Sequence, residues 1–259
     1  MTSWEGLLEA PGAGDHLVQL YTDEEFLFRA IARFVARGIA RRDGVVMIAT
    51  PEHVEGVVRR LTAGGVDLDA ALGRGQFVVL DAETSLSRLM VAGRPDRGRF
   101  LALTSEVVAR VREAGYPAVR LYGEMVDLLW QRDLPAAIQL EELWNEVLAA
   151  EGVSLLCAYG IDNFDRWAHR SAIPAVSRCH SHLIPVDDYD RLDRAVARAY
   201  EDTFGSLGEA AELRGLVVDA RRPPVDVPAG QRALMALREL SAPLADAVLL
   251  RARDHYRRG

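Results

Sequence analysis

The chain contains no lysine and only two cysteines, and it has no uninterrupted apolar run of about 18 residues of the kind that spans a bilayer. Each absence excludes something. All 31 basic residues are arginine, so no lysine is present to neutralise a terminal phosphate, and the exclusive use of arginine reads as a coding bias rather than a binding device. Cys157 and Cys179 are too few for a disulfide framework in a chain of 259 residues, which fits free thiols in a reducing compartment. A formal charge of −7 gives no net attraction for nucleic acid or an anionic membrane, so neither is expected as a partner. The first residues, MTSWEGLLEAPGAGDH, show no basic head followed by an apolar core, and the expected location is cytoplasmic.

Three catalytic or nucleotide-binding signatures are missing as well. The phosphate-binding loop G-x-x-x-x-G-K-[ST], the dinucleotide fingerprint G-x-G-x-x-G after a first strand and the G-x-S-x-G nucleophile elbow do not occur. At the first strand-to-helix junction, LYTDEEF, the acids Asp23, Glu24 and Glu25 would repel an anion from the helix start. That junction is built against phosphate, and no nucleotide cofactor is expected.

What is present is an alternation of strands and helices. Leu17–Tyr21, GVVMIAT (44–50), QFVVLDA (76–82), AVRLYGEM (118–125) and VSLLCAYG (153–160) read as five short buried strands. Amphipathic helices are expected between them, over about 23–40, from Thr50-Pro51 to Gly64, from about 83 to Met90, over 99–114 and over 135–152. Strands apolar on both faces and separated by helices predict a mainly parallel sheet covered on both sides, a three-layer α/β sandwich. From Pro185 onward the chain is charged and helical, with a proline-rich break at RRPPVDVPAG and an interruption at Pro243. The expected organisation is an N-terminal arm (1–14), a domain over 15–184 and a helical extension over 185–259 that serves interaction or dimerisation.

Candidate site residues follow from position and type. Glu124, just past the glycine exit of the fourth strand, lies at a sheet edge where catalytic and ligand-contacting acids collect, or else caps a helix. Cys157, inside a buried strand, reads as a small core residue. In RCHSHLIP, Cys179, His180 and His182 fall within four residues; on an extended segment the two imidazoles face one side, a spacing able to bind a transition metal, with His16 a distant third candidate.

The ordered segments DHLVQLYTDEEFL, VVMIATPEH, FVVLDAETSLSRLMVAGRPDRGRF, LYGEMVDLLW, LEELWNEV and SLLCAYGIDNF, continuing to HSHLIP, resemble the MEDS domain, a methanogen/methylotroph DcmR-type sensory domain, over about residues 14–184. The resemblance implies a RecA/KaiC-like fold without nucleotide-binding motifs that senses small, hydrocarbon-like ligands in signalling. By similarity it carries over His16, Tyr21, Asp23, Thr50, Pro51, His53, Asp81, Gly123, Glu124, Trp130, Glu142, Trp144, Asn145, Cys157 and Tyr159. Of these, His16, Tyr21, Asp23, Thr50, His53, Asp81, Glu124, Trp130 and Tyr159 are the candidate ligand-binding set. Relatives are commonly fused to histidine kinase or DNA-binding modules, whereas here a helical tail follows. LRELSAPLADAVLL is similar to a histidine-kinase phosphoacceptor helix with Arg238 where the histidine would stand, so it could not accept phosphate.

The reading that unites these observations is a non-catalytic sensory or regulatory protein that binds a small molecule and signals to a partner protein. Two alternatives stand beside it: a metal-dependent enzyme using Glu124 with His180 and His182, and a ligand-free adaptor.

Overall fold

The computed structural model describes residues 4–205, 215 and 225–259. The expected helical and proline-rich stretches over 206–214 and 216–224, and the first three residues of the N-terminal arm, lie outside the described residues. The described residues divide into two compact units, one made of residues 4–19 and 23–160, the other of 161–205, 215 and 225–259 with the short piece 20–22.

The first unit is an α/β sandwich layer built on parallel strands β1 (His16–Leu20), β2 (Gly44–Ala49), β3 (Phe77–Asp81), β6 (Val119–Gly123) and β7 (Ser154–Tyr159). They run in the order β3-β2-β6-β7-β1, with helices α1 (Trp4–Glu9), α2 (Glu24–Ala40), α3 (Pro51–Ala63), α4 (Leu68–Gly73), α5 (Ala82–Leu89), α6 (Arg97–Glu113), α7 (Asp127–Trp130) and α8 (Leu134–Glu151) between and around them. A two-residue hairpin, β4 (Met90–Val91) and β5 (Arg94–Pro95), joins α5 to α6. β2 is central enough to pair on both sides, Val46 standing opposite Val78 of β3 and Leu121 of β6. Both faces of β2 and β7 are fully buried, which is why their sequences are apolar without alternation.

Local chemistry sets the helix starts. Asp23, Thr50 and Asp81 each cap the helix that follows, accepting from the backbone N–H of Glu25, His53 and Thr84. The helix expected from about residue 83 starts at Ala82, because Asp81 closes β3 and opens the helix at once. α2 buries Phe26, Leu27, Ile31, Phe34 and Val35 along one side, each stabilising the fold by about 1.5–3 kcal/mol. α3 approaches α2 closely at Gly56, where a Cβ would meet the Phe28 ring at 2.6 Å.

The second unit contains α9 (Arg166–Arg170), α10 (Ala172–Ser177), β8 (His182–Ile184), α11 (Tyr189–Phe204), α12 (Ala229–Leu240) and α13 (Ala242–Arg258). Helices α11 to α13 share a core around Leu192, Val196, Tyr200, Leu234, Leu237, Val248 and Leu249. The expected interruption at Pro243 falls at Ser241, whose extended backbone separates α12 from α13; Pro243 lies in the first turn of α13, where its missing N–H costs nothing. Asp246 ties this unit together. Burial pushes its carboxyl up, yet hydrogen bonds from Arg166 (2.6 Å), Arg238 (2.5 Å) and Arg170 outweigh that and hold it well below the usual carboxylate range. Arg238, like Arg166 and Arg170, is thus an ion partner of the buried Asp246 carboxylate.

Candidate functional site

Two groups of buried polar side chains in the first unit bear on a candidate site, one at the carboxyl end of β6 and the other where β1, β7 and α8 meet. The first centres on Glu124, which follows directly after β6 and is 2% exposed. Its Oε1 accepts from the backbone N–H of Thr50, the residue that caps α3. Its Oε2 accepts from His53 Nδ1 at 2.6 Å and from the Tyr122 hydroxyl at 3.0 Å. The side chain therefore ties the end of β6 to the first turn of α3, a capping role and a charged pair in one group. The hydrogen bond to Glu124 holds the His53 imidazole above its ordinary pKa, although burial works against it. Phe28 of α2 packs edge-on against the His53 ring at 5.6 Å.

Beside this group an apolar groove of about 390 Å³ opens between α3 and β3. Pro51, Val54 and Val58 form one wall, Ala49, Val79 and Leu80 the other, and Glu55 and Asp81 complete the lining. Such a volume lies at the lower end of what small-molecule sites enclose, roughly 300–1,000 Å³.

The second group joins three elements. His16 of β1 hydrogen-bonds through Nδ1 to Asn145 Oδ1 of α8 at 2.8 Å, and since that oxygen only accepts, Nδ1 carries the proton. Its Nε2 then faces Glu141 Oε2 of α8 at 3.3 Å and Cys157 Sγ of β7 at 3.5 Å. Cys157 Sγ lies 3.6 Å from Glu141 Oε2, and the Tyr159 hydroxyl donates to Glu141 Oε1 at 2.7 Å. His16, Glu141, Cys157 and Tyr159 are packed out of water, Glu141 wholly so, while Asn145 is half-buried.

A family model described as MEDS, MEthanogen/methylotroph, DcmR Sensory domain, matches residues 15–181. The chain belongs to the MEDS family. No curated protein matches the chain significantly. Both buried groups, and the groove, fall inside the MEDS segment. Among the described residues of the chain, no helix is long and apolar enough to cross a membrane.

Within the MEDS segment, the expected ligand-binding residues do not form one site. Thr50, His53 and Glu124 meet in the first group; His16 and Tyr159 meet in the second. Trp130 donates its indole N–H to Asp127, which also accepts from the Gly160 N–H, so it braces the chain after β7. Asp23 and Asp81 are helix caps, and hydrogen bonds from Thr84 pull the Asp81 carboxyl down. Tyr21, half-buried, follows the end of β1.

The segment around Cys179 differs from the extended run expected for it. Helix α10 and a turn reach Cys179, and strand geometry begins only at His182, so the same-side argument for His180 and His182 does not apply. The reason is local: His180 Nδ1 bonds back to the Val176 carbonyl at 2.7 Å and Cys179 leans on the Ala175 carbonyl, extending the helix end. His182 instead faces Asp226 at 3.6 Å.

Two participants were not among the expected residues. Tyr122 lies two positions before Glu124 on the same side of the chain. Glu141 replaces its neighbour Glu142, which is exposed. The signal was in the helix period: Glu141, Trp144 and Leu148 recur at i, i+3 and i+7, which places Glu141 on the buried stripe.

Proposed function

We propose that this MEDS protein is a sensory or regulatory module that binds a small, apolar, hydrocarbon-like molecule and signals to a partner protein through its C-terminal helices. In this reading the MEDS segment, 15–184, receives the ligand, and the extension over 185–259 serves interaction or dimerisation. The fold is a RecA/KaiC-like scaffold that no longer holds nucleotide.

The observation that carries the reading is the groove at the start of α3. Its walls are aliphatic, so it favours an apolar guest over a phosphate or a sugar. It shares α3 with His53, so a guest wedged against Val54 and Val58 bears on the same helix whose first turn is clamped by Glu124. Binding that shifts α3 would lengthen or tighten the His53–Glu124 contact, turning occupancy into a change of charge distribution.

Thermal-shift and calorimetric titration of the full chain with short alkanols, halomethanes and small alkanes tests this. Stabilisation by at least one class, lost in Val58→Asp with the apo fold intact by circular dichroism, is the expected result. Silence across all three classes with folded protein would contradict it.

A further inference from the structure

The second buried group goes beyond the sensory reading and does not rest on it. We propose that His16, Glu141 and Cys157 bind a divalent transition metal of borderline softness, zinc being the first choice.

The donor set itself selects the ion. An imidazole nitrogen, a thiol sulfur and a carboxylate oxygen converge from β1, β7 and α8 with their donor atoms within 4.8 Å of one another. These are the three zinc-ligating side-chain types, and the thiol disfavours magnesium or calcium. Their separations fit the same ion. Tetrahedral zinc with bonds of about 2.05 Å to nitrogen, about 2.0 Å to oxygen and about 2.3 Å to sulfur needs edges of about 3.3 Å (N to O), about 3.6 Å (N to S) and about 3.5 Å (O to S). The corresponding distances are 3.3, 3.5 and 3.6 Å. The three side chains already stand at the corners such an ion requires.

The surroundings hold the donors in place. Asn145 fixes the Nδ1–H tautomer of His16, which turns the Nε2 lone pair toward the other two donors. Tyr159 occupies the far oxygen of Glu141 and leaves Oε2 aimed at His16 and Cys157. Metal-ligating histidines and carboxylates are oriented in this way by outer partners. Binding would expel the Cys157 thiol proton to solvent as the thiolate forms the metal–sulfur bond, with no change of oxidation state for zinc.

The test uses the full chain, expressed with zinc and purified without chelator, with metal content by mass spectrometry and a parallel cobalt(II)-exchanged sample read by visible absorption. One zinc per chain is expected, and a thiolate-to-cobalt charge-transfer band with tetrahedral d–d absorption. Cys157→Ser should remove the charge-transfer band and His16→Ala the stoichiometric zinc, while Cys179→Ser and His182→Ala keep both. Asn145→Ala, which touches no ion, should weaken zinc affinity by 10- to 100-fold in a chelator competition. Folded wild-type protein with no stoichiometric metal and no cobalt–thiolate band would overturn the proposal. So would a band that survives Cys157→Ser but is lost in Cys179→Ser. Neither result bears on the groove, whose test reads apolar compounds alone.

Discussion

Arg120 and Glu124 stand four residues apart along β6 and its exit, both buried, at opposite ends of the same short strand. At the amino end, the Arg120 guanidinium holds Asp43 Oδ2 through two bonds of 2.6 and 2.8 Å, donates to the carbonyls of Leu8, Phe34 and Glu9, and lies over the Phe34 ring. Burial draws its pKa down, yet an arginine there stays charged at any pH the protein meets. At the carboxyl end, Glu124 is paired with His53, a group that changes charge near neutrality. One end is a fixed rivet and the other a titratable clamp. The difference teaches where a signal can enter this sheet: not where the charge is permanent and its partners are backbone, but where one partner can lose its proton or be moved with its helix.

The sharpest way to break the comparison is at the rivet. Arg120→Met leaves Asp43 without its ion partner and three carbonyls without their donor. We expect a loss of about 3–5 kcal/mol in urea unfolding, with little dependence on pH between 6 and 9. A loss under about 1 kcal/mol would mean the amino end is no anchor.

The helical unit offers a contrast of the opposite sign. His169 is buried, donates from Nε2 to the Asn163 carbonyl at 2.7 Å, and burial pushes its pKa down to about 4. Because the unfolded chain takes up this proton near pH 6.5 and the folded one near 4, the native state is favoured above 6.5. Roughly 3 kcal/mol should be lost as pH falls from 6.5 to 4, read by denaturant melts across that range.

Next in size, Gly44→Ala at the start of β2 would place a Cβ 2.0 Å from Val111 Cγ1, and the packed amino end should lose about 1–3 kcal/mol. The smallest change concerns the clamp. Glu124→Gln keeps the shape but removes the charge that raises His53, and should cost about 1–2 kcal/mol. The sign of its pH dependence is fixed: His53 is raised in the folded state, so the pair's contribution is complete below the unfolded pKa of about 6.5 and fades as pH climbs through the folded value. The variant should therefore differ most from wild type in mild acid and least in alkali.

Much of this architecture was readable in the chain, and the rest was not for identifiable reasons. The five expected strands lie within a residue or two of their expected bounds because continuous Val, Leu and Ile runs between turn residues have few other interpretations, although β3 is only half-buried. Glu124 was legible from its place after Gly123 at a strand end. The His16–Glu141–Cys157 convergence was not, since His16 and Cys157 are 141 positions apart and meet only because β1 lies beside β7 in the sheet, an order that periodicity does not encode. The run from Cys179 misled because histidine back-bonding prolongs a helix end that composition alone makes look extended.

The central claim is that the carboxyl end of the sheet holds a charge pair able to respond. Imidazole nitrogen chemical shifts of His53, followed by NMR across pH in wild type and in Glu124→Gln, test it most directly. A titration above the ordinary histidine value that falls back toward it in the variant is the expected result. A His53 that titrates at its ordinary value in wild type, unmoved by the loss of the Glu124 charge, would contradict it.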